Sequence, residues 1–196
     1  MKHWAHWGFP SISTGVRIAT LFVGMQVAMA GAAETKVDVT FAGGHDTDKK
    51  DGGRPVVLIA AALDVKPEVF RKAFSGVTPS RNGPPTQEEA RKNKAALMKV
   101  LKPLGVTNER LDEVSNYYRY RPQRGELWTN SPAKAHAVVE NGKIKKLVIT
   151  DPGSGYSSEP TVTVAGFEKV EFIVTVHFDK DLKKNGSIDT LKVAKP

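Results

Sequence analysis

The sequence predicts an α+β protein: an N-terminal four-helix unit of two αα-hairpins, followed by a small, mostly antiparallel β unit. Three observations carry this. Apolar residues recur at helical spacing over 54–120 and change to alternation from Ala135 onward, as in Lys146-Leu147-Val148-Ile149-Thr150 and Thr161-Val162-Thr163-Val164. Prolines and a capping box punctuate the first stretch, and Asn-Gly turns punctuate the second. The expected organisation is a signal peptide over 1–33, a polar leading segment over 34–53, a helical domain over 54–128 and a β domain over 133–196.

The leader comes first. Lys2, His3 and Arg17 form a positive region, an apolar run follows over 18–28, and Ala28-Met29-Ala30 and Gly31-Ala32-Ala33 offer small-residue cleavage sites. Such a run is shorter than the roughly 20 apolar residues that a membrane span needs. Export to the periplasm, cell envelope or exterior is therefore expected, with no transmembrane span after signal cleavage.

Among the helices, Pro55 and Pro67 suit first-turn positions and start helices over 56–63 and 68–74, the latter closed by Gly76. Thr86-Gln87-Glu88-Glu89 reads as a capping box that opens a longer helix over 87–102, ended by Pro103 and Gly105. A fourth helix begins at Asn108 or Glu109 and carries Leu111, Val114 and Tyr118 on one face. Leu63-Asp64-Val65 and Leu104-Gly105-Val106 open two copies of the weak repeat L-[DG]-V-x-x-E-x-[FL]-x-x-[AV], each a tight corner leading into a helix. In the β unit, Asn141-Gly142 predicts a hairpin between strands over 135–140 and 143–150. Lys184-Asn185-Gly186 predicts a second turn, for about five strands in all.

Of the 196 residues, 40% are hydrophobic and 26% charged, a globular composition rather than a disordered one. The absence of cysteine excludes disulfides, thiolate metal sites and a Cys nucleophile. Loss of Lys2 and Arg17 with the leader takes the 29 basic residues to 27 against 21 acidic ones, a net charge of +6. A cationic exported protein meets anionic envelope polymer before it meets nucleic acid.

Residues 135–164 contain Asp151-Pro152-Gly153-Ser154-Gly155-Tyr156 followed by Pro160-Thr161-Val162-Thr163-Val164. This PGSGY and PTVTV pattern resembles a β-repeat of bacterial surface proteins and virion fibre or neck proteins, where it recurs in tandem; here it occurs once. The resemblance implies a non-enzymatic β scaffold. Gly153 and Gly155 permit positive φ, and Tyr156 can fold over the turn before Pro160 restarts an edge strand. The helical strings GRPVVLIAAAL and LDEVSNYYRYRP resemble those of uncharacterised exported bacterial proteins, which implies no activity.

Two side-chain sets stand out. Tyr117, Tyr118, Arg119, Tyr120 and Arg121, with Arg124 and Trp128 beyond, form the densest aromatic and basic cluster. Rings stack on sugars and guanidinium forks hold carboxylate or phosphate, but the same rings could instead seal the seam between the two units. His45, Asp46, Asp48 and Asp51 gather an imidazole and three carboxylates in a loop that could hold a divalent cation, although the spacing departs from an EF-hand and Lys49 and Lys50 oppose binding. Residues 181–189 place Gly186 and Ile188 in EF-hand register, yet Lys183 stands at a ligand position, so a hairpin turn is the better reading.

Catalytic constellations find little support. Ser154 lacks the glycine frame of a nucleophile elbow, and His45, His136 and His177 fall in no metalloprotease pattern. The expectation is an exported, non-catalytic envelope binding or structural protein whose partner is anionic envelope polymer or an envelope protein, with no cofactor unless a divalent cation. The alternatives are an exported hydrolase acting on envelope polymer, using the acidic loop, and a helix-turn-helix nucleic-acid binder built on residues 59–74 with Lys66, Arg71 and Lys72. Nucleic acid is not the expected partner, because the leader directs the chain out of the cytoplasm.

Overall fold

A computed structural model describes residues 34–78, 85–121 and 125–194. The expected signal peptide and Arg124 lie outside the described residues.

The first described element corrects the sequence reading. Residues expected to be a polar leading segment form strand β1 (Thr35–Ala42), which precedes every helix. Val37, Val39 and Phe41 alternate with Lys36, Asp38 and Thr40, so one face of the strand is apolar and the other polar. The architecture is α+β, but it is not helical first and β second.

The helices follow their local signals closely. Helix α1 (Val56–Ala62) starts after Pro55, and α2 (Pro67–Phe74) carries its proline in the first turn. In α3 (Gln87–Leu101) the Thr86 hydroxyl accepts from Glu89 N at 3.2 Å, while the Glu89 carboxylate accepts from Thr86 N at 2.7 Å. Thr107 caps α4 (Asn108–Tyr117) through its hydroxyl alone, which accepts from Arg110 N at 3.1 Å. Both members of the repeat prove to be one device. Asp64 and Gly105 adopt left-handed φ of 56° and 88°, and the following valine N–H reaches back to the helix, Val65 to Ala60 and Val106 to Leu101. The packing differs from two self-contained hairpins: α2 packs between α1 and α3, and α4 packs against α1.

Strand β2 (Lys134–Glu140), β3 (Lys143–Asp151) and β4 (Thr161–Val164) join β1 in an antiparallel sheet of order β3-β2-β1-β4. Register places Val39 opposite Ala135 on one side and Val164 on the other, with Val37 opposite Ala137, so the inner face is continuous and apolar. A separate hairpin pairs β5 (Phe172–His177) with β6 (Ser187–Val193). Because β5 lies beside β4 and β6 beside β3, the six strands curl round one core that includes Ala137, Tyr156, Val164, Val174 and Ile188.

A second core fills the helical half around Leu58, Leu101, Leu111, Val114 and Tyr118. The two halves share one compact unit. The loop between β5 and β6 joins them: Leu182 packs on the helical core, and the fully buried Asn185 donates to Leu58 O at 2.8 Å.

Candidate functional site

The PGSGY segment is the hub on which the remaining loops hang. Gly153 and Gly155 take φ of 62° and 83°, and a Cβ at Gly153 would lie 2.5 Å from Ser131 O. That approach lets Ser131 and Ser154 exchange backbone hydrogen bonds at 2.9 and 3.0 Å. Tyr156 is buried, and its hydroxyl accepts from Ala133 N at 2.9 Å. Gly155 N donates to Asn185 O, Tyr156 N donates to Gly186 O, and Ser157 N donates to Gly44 O, so the segment ties the β5–β6 turn to the loop after β1.

That loop carries the acidic set, and the structure disperses it. His45 is half-buried, its ring stacked 5.4 Å from that of Tyr156 and tilted 5.9 Å from that of Trp128. Desolvation lowers its pKa, partly opposed by a backbone hydrogen bond at Gly43 and by the Asp46 charge. Asp46 O accepts from the Ser157 hydroxyl at 2.7 Å, and Asp46 N donates to the Ser158 hydroxyl at 3.1 Å. Asp48 caps a short 3₁₀ turn (Lys49–Asp51), and its ammonium partner Lys50 holds its pKa below the usual carboxylate range. Asp51 is buried against Arg71 on α2, which donates twice, from Nε and Nη2, each at 2.8 Å. Among the described residues no three His, Cys, Asp or Glu side chains are grouped to hold a metal ion. The sequence brought these residues close along the chain, whereas folding gives each a different partner.

The same pairing bears on the helix-turn-helix reading. Phe70 and Ala73 of α2 are buried and Arg71 is engaged with Asp51, which leaves Lys66 and Lys72 as the exposed cations of that corner.

The aromatic and basic cluster is divided by the end of α4. Tyr118 and Trp128 are interior, not surface residues: Trp128 Nε1 donates to Gly155 O at 2.8 Å, and Tyr118 Oη accepts from Asn185 Nδ2 at 3.0 Å. Burial pushes the Tyr118 phenol far above its ordinary pKa. Tyr117 is half-buried, edge-on to Tyr118, and Tyr120 lies over Gly53 and 6.2 Å from Trp128. The arginines point outward. Arg119 donates to Asn116 Oδ1 at 2.7 Å, and Arg121 pairs with Glu126 at 3.3 Å, both exposed. Rings seal the seam between helical and β halves, and guanidinium groups line its outside.

Folding adds a cleft of about 390 Å³ that no local motif announced. Its walls are Ile59, Phe70, Phe74 and Leu97, and its rim is Arg54, Ser115 and Arg119 with the rings of Tyr118 and Tyr120. Arg54 sits with its guanidinium carbon 4.2 Å from the centroid of the Phe74 ring and gives one hydrogen bond, to Asp51 O at 3.3 Å. Among the described residues it makes no ion pair, and burial lowers its pKa against the opposing pull of the nearby Asp51 charge. The sequence signal at Arg54 was only its place before Pro55; its ring partner stands 20 positions on.

Comparison of the chain with protein-family models, with curated proteins and with solved structures gives no match. Among the described residues no helix is long and apolar enough to cross a membrane.

Proposed function

We propose that the protein is an exported, non-catalytic binding or structural protein of the cell envelope, whose partner is anionic envelope polymer or an envelope protein. The observation that carries this reading is the outward pair Arg119 and Arg121, held on a seam whose rings are locked into the core. Rigid backing lowers the entropic cost of holding two guanidinium groups against a polyanion. The leader and the net charge of +6 that remains after its loss support the same partner class. The PGSGY segment serves here as a structural hub, in keeping with the scaffold role that its resemblance implies.

The hydrolase reading draws no support from the geometry. His45 stacks on Tyr156, the Asp46 carboxylate accepts from the Ser158 hydroxyl, Asp48 faces Lys50 and Asp51 faces Arg71, so the four side chains of the acidic loop are not gathered around a common point.

Retention on isolated cell wall measures the proposal directly. The doubly substituted protein Arg119→Ala, Arg121→Ala is expected to lose retention while its thermal unfolding stays within about 0.5 kcal/mol of wild type, because exposed ion pairs contribute little to stability. Unchanged retention overturns the assignment to these arginines. N-terminal sequencing of the envelope fraction tests the location, and an intact Met1 on cytoplasmic protein contradicts it.

A further inference from the structure

We infer that the cleft between Arg54 and Phe74 is a binding site for a small organic carboxylate carried on an apolar or aromatic body. It shares Arg119 with the envelope proposal but rests on Arg54, which that proposal does not use, so either can fail alone.

Arg54 and Arg71 differ in how their donors are used. A guanidinium has five N–H donors and binds carboxylate through a planar fork. Arg71, seated nearby, uses that fork on Asp51, with Nε and Nη2 each at 2.8 Å. Arg54 is comparably withdrawn from water but gives a single 3.3 Å hydrogen bond to a backbone oxygen. Its flat face is taken by Phe74, at 4.2 Å, which fixes the plane of the group. Arg54 borders the cleft, and its remaining N–H donors have no partner among the described residues. Arg119 adds a second cation to the rim, and no carboxylate lines this cleft.

Cleft walls decide what kind of anion fits. Phe74 and Leu97, both half-buried, offer no polar side-chain atom, so a bare inorganic anion would leave their exposed parts in contact with water. An apolar body covers those walls while its carboxylate meets the Arg54 fork, with the Ser115 hydroxyl at the rim as a further donor. At about 390 Å³ the cleft has room for a single ring with a short chain, not for a polymer strand.

Two-dimensional amide NMR titration of the protein with benzoate tests this, with benzyl alcohol and inorganic phosphate as controls. Benzoate is expected to shift the amides of Gly52, Ser115 and Tyr120 saturably, with each control about tenfold weaker or more. Arg54→Gln is expected to weaken benzoate by about tenfold or more, in line with loss of a charge-assisted fork. Ser115→Trp fills the cleft from an exposed helix position and leaves Arg54 in place; it too is expected to abolish the shifts while the spectrum stays folded. Equal response to phosphate overturns the carboxylate assignment. Absence of saturable shifts, or benzoate binding unchanged in both variants, overturns the site.

Discussion

The side-chain amide of Asn185, in the turn before β6, donates to the phenol oxygen of Tyr118 at the end of α4 over 3.0 Å, with both residues sealed from solvent. The same amide nitrogen donates to Leu58 O, and the amide oxygen accepts from Asp179 N at 3.1 Å. One side chain therefore satisfies groups from α1, α4 and its own loop. Asn185→Ala strands all three and is expected to cost about 3 kcal/mol, whereas Tyr118→Phe is expected to cost about 1 kcal/mol. Urea unfolding of both single variants and the double variant measures this, and the double variant is expected to lose less than the sum.

Arg71 and Asp51 are unequal partners. Asp51 keeps 4% of its side-chain surface exposed and Arg71 22%, so removing the arginine abandons a charge in the interior, while removing the aspartate leaves a cation that can reach water. Arg71→Ala is expected to destabilise by about 3 kcal/mol, and Asp51→Ala by less. Denaturant midpoints for the two variants check the order.

His45 makes stability depend on pH with a definite sign. Burial favours its neutral form, so the folded pKa lies below the ordinary 6.5, and the unfolded chain takes up the proton first as pH falls. The stability contributed by neutral His45 is whole above about pH 6.5 and declines as pH drops through the folded value. His45→Gln is expected to flatten that decline, read from melting temperatures across this window.

Gly153 cannot tolerate a side chain, because the added Cβ meets backbone at 2.5 and 2.7 Å and the φ is positive. Gly153→Ala is expected to cost more than about 2 kcal/mol, against about 1 kcal/mol for Gly142→Ala, where φ is also positive but the space is open. Thermal unfolding of the two variants separates the steric part from the conformational part.

Asp64 occupies the left-handed position that Gly105 fills in the second corner. Asp64→Gly is expected to stabilise the protein by about 0.5 kcal/mol, since relief of the φ strain exceeds the extra chain entropy of glycine. A rise in melting temperature checks it.

What could be read along the chain was whatever a few neighbouring residues decide. Pro55, Pro67, the Thr86 to Glu89 box and the Asn141-Gly142 turn act within a single turn of backbone, so the helix starts and the hairpin follow from them without reference to the rest. Tyr156, expected to fold over its own glycine turn, instead lies against Gly44 and His45 of a distant loop and accepts from Ala133 N, contacts that no local signal sets. The alternation of Val37, Val39 and Phe41 with Lys36, Asp38 and Thr40 is itself a strand signal for β1; what lies beyond local reading is its pairing, because its partners Ala135 and Val164 stand about a hundred residues away. Residue type alone could not say that Tyr118 and Trp128 face inward while Arg119 and Arg121 face out; the packing of α4 on α1 and the arrival of Asn185 decided that. Nor could the acidic loop reveal its fate. Asp51 ended on Arg71 and His45 on Tyr156 because long-range packing, not spacing, sets which charge is desolvated beside which partner.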